Sequence, residues 1–139
     1  MNEFLTAWQP RALSLLRFIA GFLFVWHGMQ KLFNYPAGQP GTEFSLTHFT
    51  TLSPLILVAG ALEFFGGLLL IVGLFTRWTA FVLSGLMAVA YFMAHGLNAF
   101  LPIVNKGELA VLYSFVFLFL FFAGGGPIGL DSLLKKSDN

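Results

Sequence analysis

The chain has 139 residues, of which 58% are hydrophobic, 17% aromatic and only 9% charged. A water-soluble domain carries roughly 25% charged residues, so this composition, with a mean hydropathy of +0.83, excludes an ordinary soluble fold and fits one small domain in a lipid bilayer. A net charge of +1 gives no electrostatic footprint for nucleic acid, and the lack of cysteine excludes disulfides, thiolate or iron–sulfur ligation and thiol catalysis.

A membrane-spanning helix needs about 20 mostly apolar residues. The first such run lies near 13–33. Arg11 and Arg17 give it the look of a signal peptide, but no small-x-small cleavage site follows, so it reads as a retained helix. Pro36, Gly38, Pro40 and Gly41 then break the chain and open its longest loop, to about residue 51. The second run, near 52–75, carries a single charge, Glu63. Thr76 and Arg77 form a tight joint to the third run, near 78–101. Pro102 and the Asn105-Lys106-Gly107 segment lead to the fourth, near 108–123, and Gly124 to Pro127 closes it before a short polar tail.

This order predicts an all-α integral membrane protein, an antiparallel four-helix bundle. Gly60, Gly66 and Gly67 thin the second helix, and Ala80, Ser84 and Ala88 recur every four residues on the third, where small residues let membrane helices approach closely. Arg11, Arg17, Arg77, Lys135 and Lys136 fall on the side of the termini; Lys31 and Lys106 fall opposite. The positive-inside rule then puts both termini in the cytoplasm; the expected setting, multi-pass, is a bacterial cytoplasmic (inner) membrane.

The polar residues inside the apolar runs are the candidate site. Glu63 sits roughly 16 Å from the outer start of its helix, near the midplane, where a carboxylate costs several kcal/mol unless paired, protonated or wet. It is either a proton carrier or the anionic half of a pair with a histidine. His27 and His95 stand in similar settings, Phe24-x-x-His27-Gly28 and Phe92-x-x-His95-Gly96, each roughly 9 Å inside its outer helix end. The echo extends to an amide beyond each, Gln30 and Asn98. Lys31 lies one turn outward of His27 and either snorkels to the headgroups or pairs with Glu108. Glu108 opens the fourth helix, with Tyr113 deeper on it. These groups outline a funnel open to the outside with Glu63 at its floor, while the inner half is nearly featureless apart from Arg17, with Asp131 as a possible partner, and Ser84. Arg77 reads as a topology and joint residue.

Glu63, His27 and His95 are thus the proton-handling candidates, and Lys31, Glu108, Tyr113, Asn98 and Gln30 the ligand-binding ones. Two histidines at one depth would suit a haem with two axial imidazoles, but helix packing accounts for the same pattern. A metal needs three or more ligands; His27, His95 and Glu63 or Glu108 lack metal-site spacing. A quinone fits better. Its carbonyls want proton donors, its ring aromatic walls and its tail lipid, which histidine, carboxyl, Tyr113 and the 18 phenylalanines supply.

The ordered set of motifs resembles the DoxX family of small four-helix membrane proteins. The matching pieces are His27-Gly28-x-x-Lys31-Leu32, then Glu63-Phe-x-Gly66-Gly67 through Gly73 to Thr76-Arg77, then Ala90 to His95, Gly107-Glu108-Leu-Ala110, and Gly124 to Pro127 with Leu130-Asp131. The tail departs from the usual Gly-Pro-Gly segment. The resemblance implies membrane location, a link to quinone-coupled oxidoreductases and oxidative stress, and weight on His27, Lys31, Glu63, Arg77, His95 and Glu108.

The functional expectation is a quinone- or hydroquinone-interacting redox subunit or ligand carrier. With no flavin or dinucleotide motif, its electrons would pass through a soluble or membrane oxidoreductase partner. The rivals are a small-solute transporter, which four helices would support only as a homodimer, and a non-catalytic scaffold for a soluble oxidoreductase.

Overall fold

A computed structural model describes residues 1–37, 43–96 and 99–137, with side chains to 135. Every regular element among these residues is helical. The helices are α1 (Asn2–Phe33), α2 (Pro54–Val72), α3 (Thr76–Ala90), α4 (Pro102–Asn105), α5 (Glu108–Ala123) and α6 (Leu130–Ser137). A 3₁₀ turn, His48–Thr51, precedes α2, and a π turn, Tyr91–Gly96, extends α3. α1, α2 and α3 with its π turn are long and apolar enough to cross a membrane. α5 is strongly apolar but only 16 residues long, held between Gly107 and Gly124.

α1 begins at Asn2, well before the apolar run near residue 13. Its first turns run through Pro10 and are exposed. They are knit along one face by the Phe4–Trp8 ring contact at 5.8 Å and by Arg11 over Trp8 at 5.2 Å. At about 1.5 Å per residue, α1 outreaches a hydrocarbon core of about 30 Å.

α1 packs on α2, and α3 packs on α5. Backbone proximity drives the first pairing. A Cβ on Gly21 would lie 2.8 Å from the Gly67 carbonyl oxygen, and one on Gly67 would lie 2.7 Å from the Val25 side chain. Hydrogen bonding aids the second. Ser84 Oγ donates to the Ser114 carbonyl at 2.8 Å, and Ser114 Oγ donates back to Ser84 at 3.1 Å. These two pairs then meet in one buried cluster: Ala20 and Phe24 of α1, Leu70 of α2, Ala80 and Leu83 of α3, and Tyr113, Phe117 and Leu120 of α5.

The end of the molecule where α2 turns into α3 is far from featureless. Buried Arg17 donates to the Ile128 carbonyl at 2.6 Å, and Ser14 Oγ accepts from the Ile128 N–H at 3.1 Å. Gly73, Gly125 and Gly129 crowd the Arg17 guanidinium so closely that a Cβ on any of them would press on it. Asp131 acts electrostatically on Arg17 without bonding to it. Its carboxylate instead accepts from the Phe75 and Thr76 N–H groups, both at 2.8 Å, and so caps α3. Arg77 is more than a joint residue. Its guanidinium donates to the Phe121 and Phe122 carbonyls at 2.6 Å and satisfies the C-terminus of α5. Asp131→Ala is expected to cost about 1–2 kcal/mol through loss of the cap, read as a lowered thermal midpoint in detergent. Asp131→Asn, which keeps one acceptor oxygen, should recover part of it; equal midpoints for all three proteins would rule the cap out as a stabiliser.

Candidate functional site

Glu63 lies midway along α2 and is 5% exposed. Its partner is neither histidine but Lys31, in the last turn of α1. Lys31 Nζ donates to both carboxylate oxygens, at 2.7 and 2.5 Å. The two groups form a salt bridge. A glycine makes this reach possible. A Cβ on Gly60 would stand 3.0 Å from the Lys31 Cβ and 3.2 Å from the Leu32 side chain. The bare helix surface at Gly60 therefore lets the lysine stem lie against α2. The pair is asymmetric: the lysine side chain is 36% exposed and the glutamate side chain 6%. Lys31 thus turns inward to Glu63 rather than outward to the headgroups or to Glu108.

His27, one turn inward of Lys31 on the same face, lies within electrostatic reach of both charges. Its ring stands nearly perpendicular to that of Tyr113, at 6.1 Å between centroids and 85°. Phe24 touches both, at 6.3 Å from His27 and 5.2 Å from Tyr113. Tyr113 is buried and stacks on Phe117. Neither the His27 imidazole nor the Tyr113 hydroxyl makes a hydrogen bond to any described residue. Beside the ion pair, α1 and α5 therefore present two unspent polar groups on an aromatic floor.

The remaining expected residues go elsewhere. His95 does not join His27 and Glu63, so the idea of one cavity shared by all three does not hold for it. It sits in the π turn, and its Nδ1 pairs with the Asn105 carbonyl at 3.0 Å. A carbonyl only accepts, so Nδ1 carries the proton in that bond. Asn105 also donates to the Ala99 carbonyl at 2.7 Å and to the Tyr91 hydroxyl at 3.2 Å, and the Tyr91 hydroxyl donates to the Phe100 carbonyl. This network folds the α3–α5 connection and shares no residue with the Lys31–Glu63 group. No three His, Asp or Glu residues cluster as metal ligands among the described residues. Glu108 is exposed beside Lys106 on an open groove. Gln30 donates to the Pro36 carbonyl at 3.3 Å and braces the loop after α1. Asn98 lies outside the described residues.

The DoxX family model matches residues 12–96, a stretch that holds Arg17, His27, Lys31, Glu63, Arg77 and His95 and stops short of Glu108 and Tyr113. An uncharacterized protein of Haemophilus influenzae is 42% identical over 139 residues, 98% of this chain and 99% of its own length. A second uncharacterized protein of that organism is 35% identical over 68 residues, 49% of this chain and 45% of that protein. No solved structure matches.

Proposed function

The chain belongs to the DoxX family and is a membrane protein, and from that premise we propose that it is a quinone- or hydroquinone-interacting subunit or ligand carrier of a bacterial cytoplasmic membrane. In this reading α5 is a fourth span that completes an antiparallel bundle with both termini in the cytoplasm. The distribution of Lys and Arg supports that orientation.

One observation carries the functional reading. An ion pair deep in an apolar helix pair, Lys31–Glu63, adjoins an imidazole and a phenol that have no hydrogen-bond partner among the described residues. A quinone headgroup needs a donor at one carbonyl, a proton source at the other and flat apolar walls. Tyr113 and His27 serve one oxygen, and Lys31, backed by Glu63, serves the other, with Phe24 and Phe117 packed behind Tyr113 to hold it in place. Reduction of a quinone takes a proton onto each oxygen with its electrons. The electrons come from a partner oxidoreductase, and this chain holds the ring and exchanges the protons.

Binding of a short-chain benzoquinone to the protein in nanodiscs, measured by calorimetry against empty discs, tests this. Saturable binding is expected. Tyr113→Phe and His27→Ala should each weaken it about tenfold, the value of one lost hydrogen bond. Wild-type protein that binds no more than empty discs, or variants that bind like wild type, would sink the reading.

A further inference from the structure

At the opposite end of α5 from Gly124 lies an open groove of about 810 Å³ between α4 and α5. That volume is within the range of small-molecule sites. Lys106 and Glu108 stand on it, and apolar residues that include Ile103, Leu109, Leu112 and Phe115 line the rest. Glu108, Leu112 and Phe115 recur at i, i+4 and i+7, so they form one stripe down the helix. Phe115 sits roughly 10 Å deeper along the axis than Glu108. Four of its apolar members are at least half exposed: Ile103 74%, Leu109 50%, Leu112 61% and Phe115 65%. Neither the Lys106 ammonium nor the Glu108 carboxylate has a hydrogen bond or ion pair with any described residue, although both line the same groove. The helix dipole favours an acid at the first residue of α5. It does not account for a cation beside that acid or for the apolar stripe beneath both.

We propose that this groove binds a phospholipid whose headgroup carries a primary ammonium, of the phosphatidylethanolamine kind. The charges match in order and kind. Lys106 meets the phosphate, Glu108 accepts from the ammonium N–H groups, and Leu112 and Phe115 take the first part of an acyl chain as it runs down α5. A choline headgroup has no N–H to give Glu108, and a glycerol headgroup has no positive charge for it. The shortness of α5 adds a reason for a bound lipid, because a short span leaves bilayer thickness to be made up beside it. This site shares no residue with the Lys31–Glu63 group, so it stands whether or not a quinone binds there.

The test is native mass spectrometry of the whole protein in detergent. It is equilibrated with an equimolar mixture of phosphatidylethanolamine, phosphatidylcholine and phosphatidylglycerol of identical acyl chains. Wild type should retain the ethanolamine lipid over each of the others by about fivefold, the effect of one interfacial charge pair. Glu108→Gln should bring ethanolamine and choline lipids to parity. Glu108→Lys should turn the preference to the glycerol lipid. Lys106→Gln should lower retention of all three. A photoreactive phosphatidylethanolamine should label wild type between Ile103 and Phe115, which needs no variant to fold. Equal retention of the three lipids, an ethanolamine preference that survives Glu108→Gln, or labelling confined to other segments would each overturn the proposal.

Discussion

Lys31→Met should destabilise the protein more than Glu63→Gln, although each removes the same ion pair. The reason is the asymmetry of exposure. Glu63 is 5% exposed and sits mid-helix among apolar neighbours. Without Lys31 its carboxylate is a buried charge with no counter-charge, a change that costs about 3–5 kcal/mol. Lys31 in Glu63→Gln keeps an exit. Its side chain is 36% exposed, and its stem lets the ammonium swing to the headgroup region. That variant loses a charge-assisted hydrogen bond worth about 1.5–3 kcal/mol and strands nothing. The double variant Lys31→Met with Glu63→Gln should be more stable than Lys31→Met alone, because it removes the stranded charge as well as its partner. Reversible unfolding in mixed detergent micelles, followed by helical circular dichroism, would rank the three. A ranking with Glu63→Gln lowest, or a double variant that loses the sum of the two singles, would show that the pair does not hold α1 to α2 in this way.

Glu63 was legible in the sequence because one charge in a long apolar run can be seen without a partner. Lys31 as that partner was not. Spacing along a helix gives depth and face, but the rotation of α1 against α2 depends on which residues leave room between them. The notch at Gly60 that admits the Lys31 stem is a property of two helices. His95 was misplaced for a different reason. Its setting, Phe-x-x-His-Gly followed by an aliphatic and an amide, echoes that of His27, and on a regular helix both would face the same way. The π turn at Tyr91–Gly96 changes the rotation per residue, so the second histidine turns to Asn105. The two similar settings therefore serve different duties. The polar end formed by Arg17, Arg77 and Asp131 was hidden because its acceptors are backbone carbonyls and its donors backbone N–H groups, and these carry no sequence signal. The glycines from Gly124 to Gly129 were the available clue: Gly125 and Gly129 leave space for the buried Arg17 guanidinium. The helical class and the three long apolar helices were readable from composition and run length alone, since in lipid a spanning segment must satisfy its own backbone.

Gly28→Ala and Gly85→Ala make the same chemical change on two membrane helices and should move stability in opposite directions. A Cβ on Gly28 would fall 2.7 Å from both the Cα and the Cβ of Phe64. The Phe64 backbone cannot swing aside like the end of a side chain, so α1 and α2 must part. Overpacking of this kind costs about 1–3 kcal/mol, occasionally more. Gly85 has nothing within 4 Å of the same added atom. There the helix preference for alanine over glycine acts unopposed and should add up to about 1 kcal/mol. The first substitution also bears on the site. Gly28 is adjacent to His27 and less than one turn from Lys31, and Phe64 follows Glu63 directly. A wedge between Gly28 and Phe64 therefore lengthens the Lys31–Glu63 contact at its root. In the Gly28→Ala background, Lys31→Met should cost markedly less than in wild type, because the pair is already loosened. Detergent unfolding midpoints for this four-protein cycle would measure that coupling. Additive losses would mean that the glycine contact and the ion pair hold α1 and α2 independently, and that the close approach at Gly28 does not set the geometry of the buried pair.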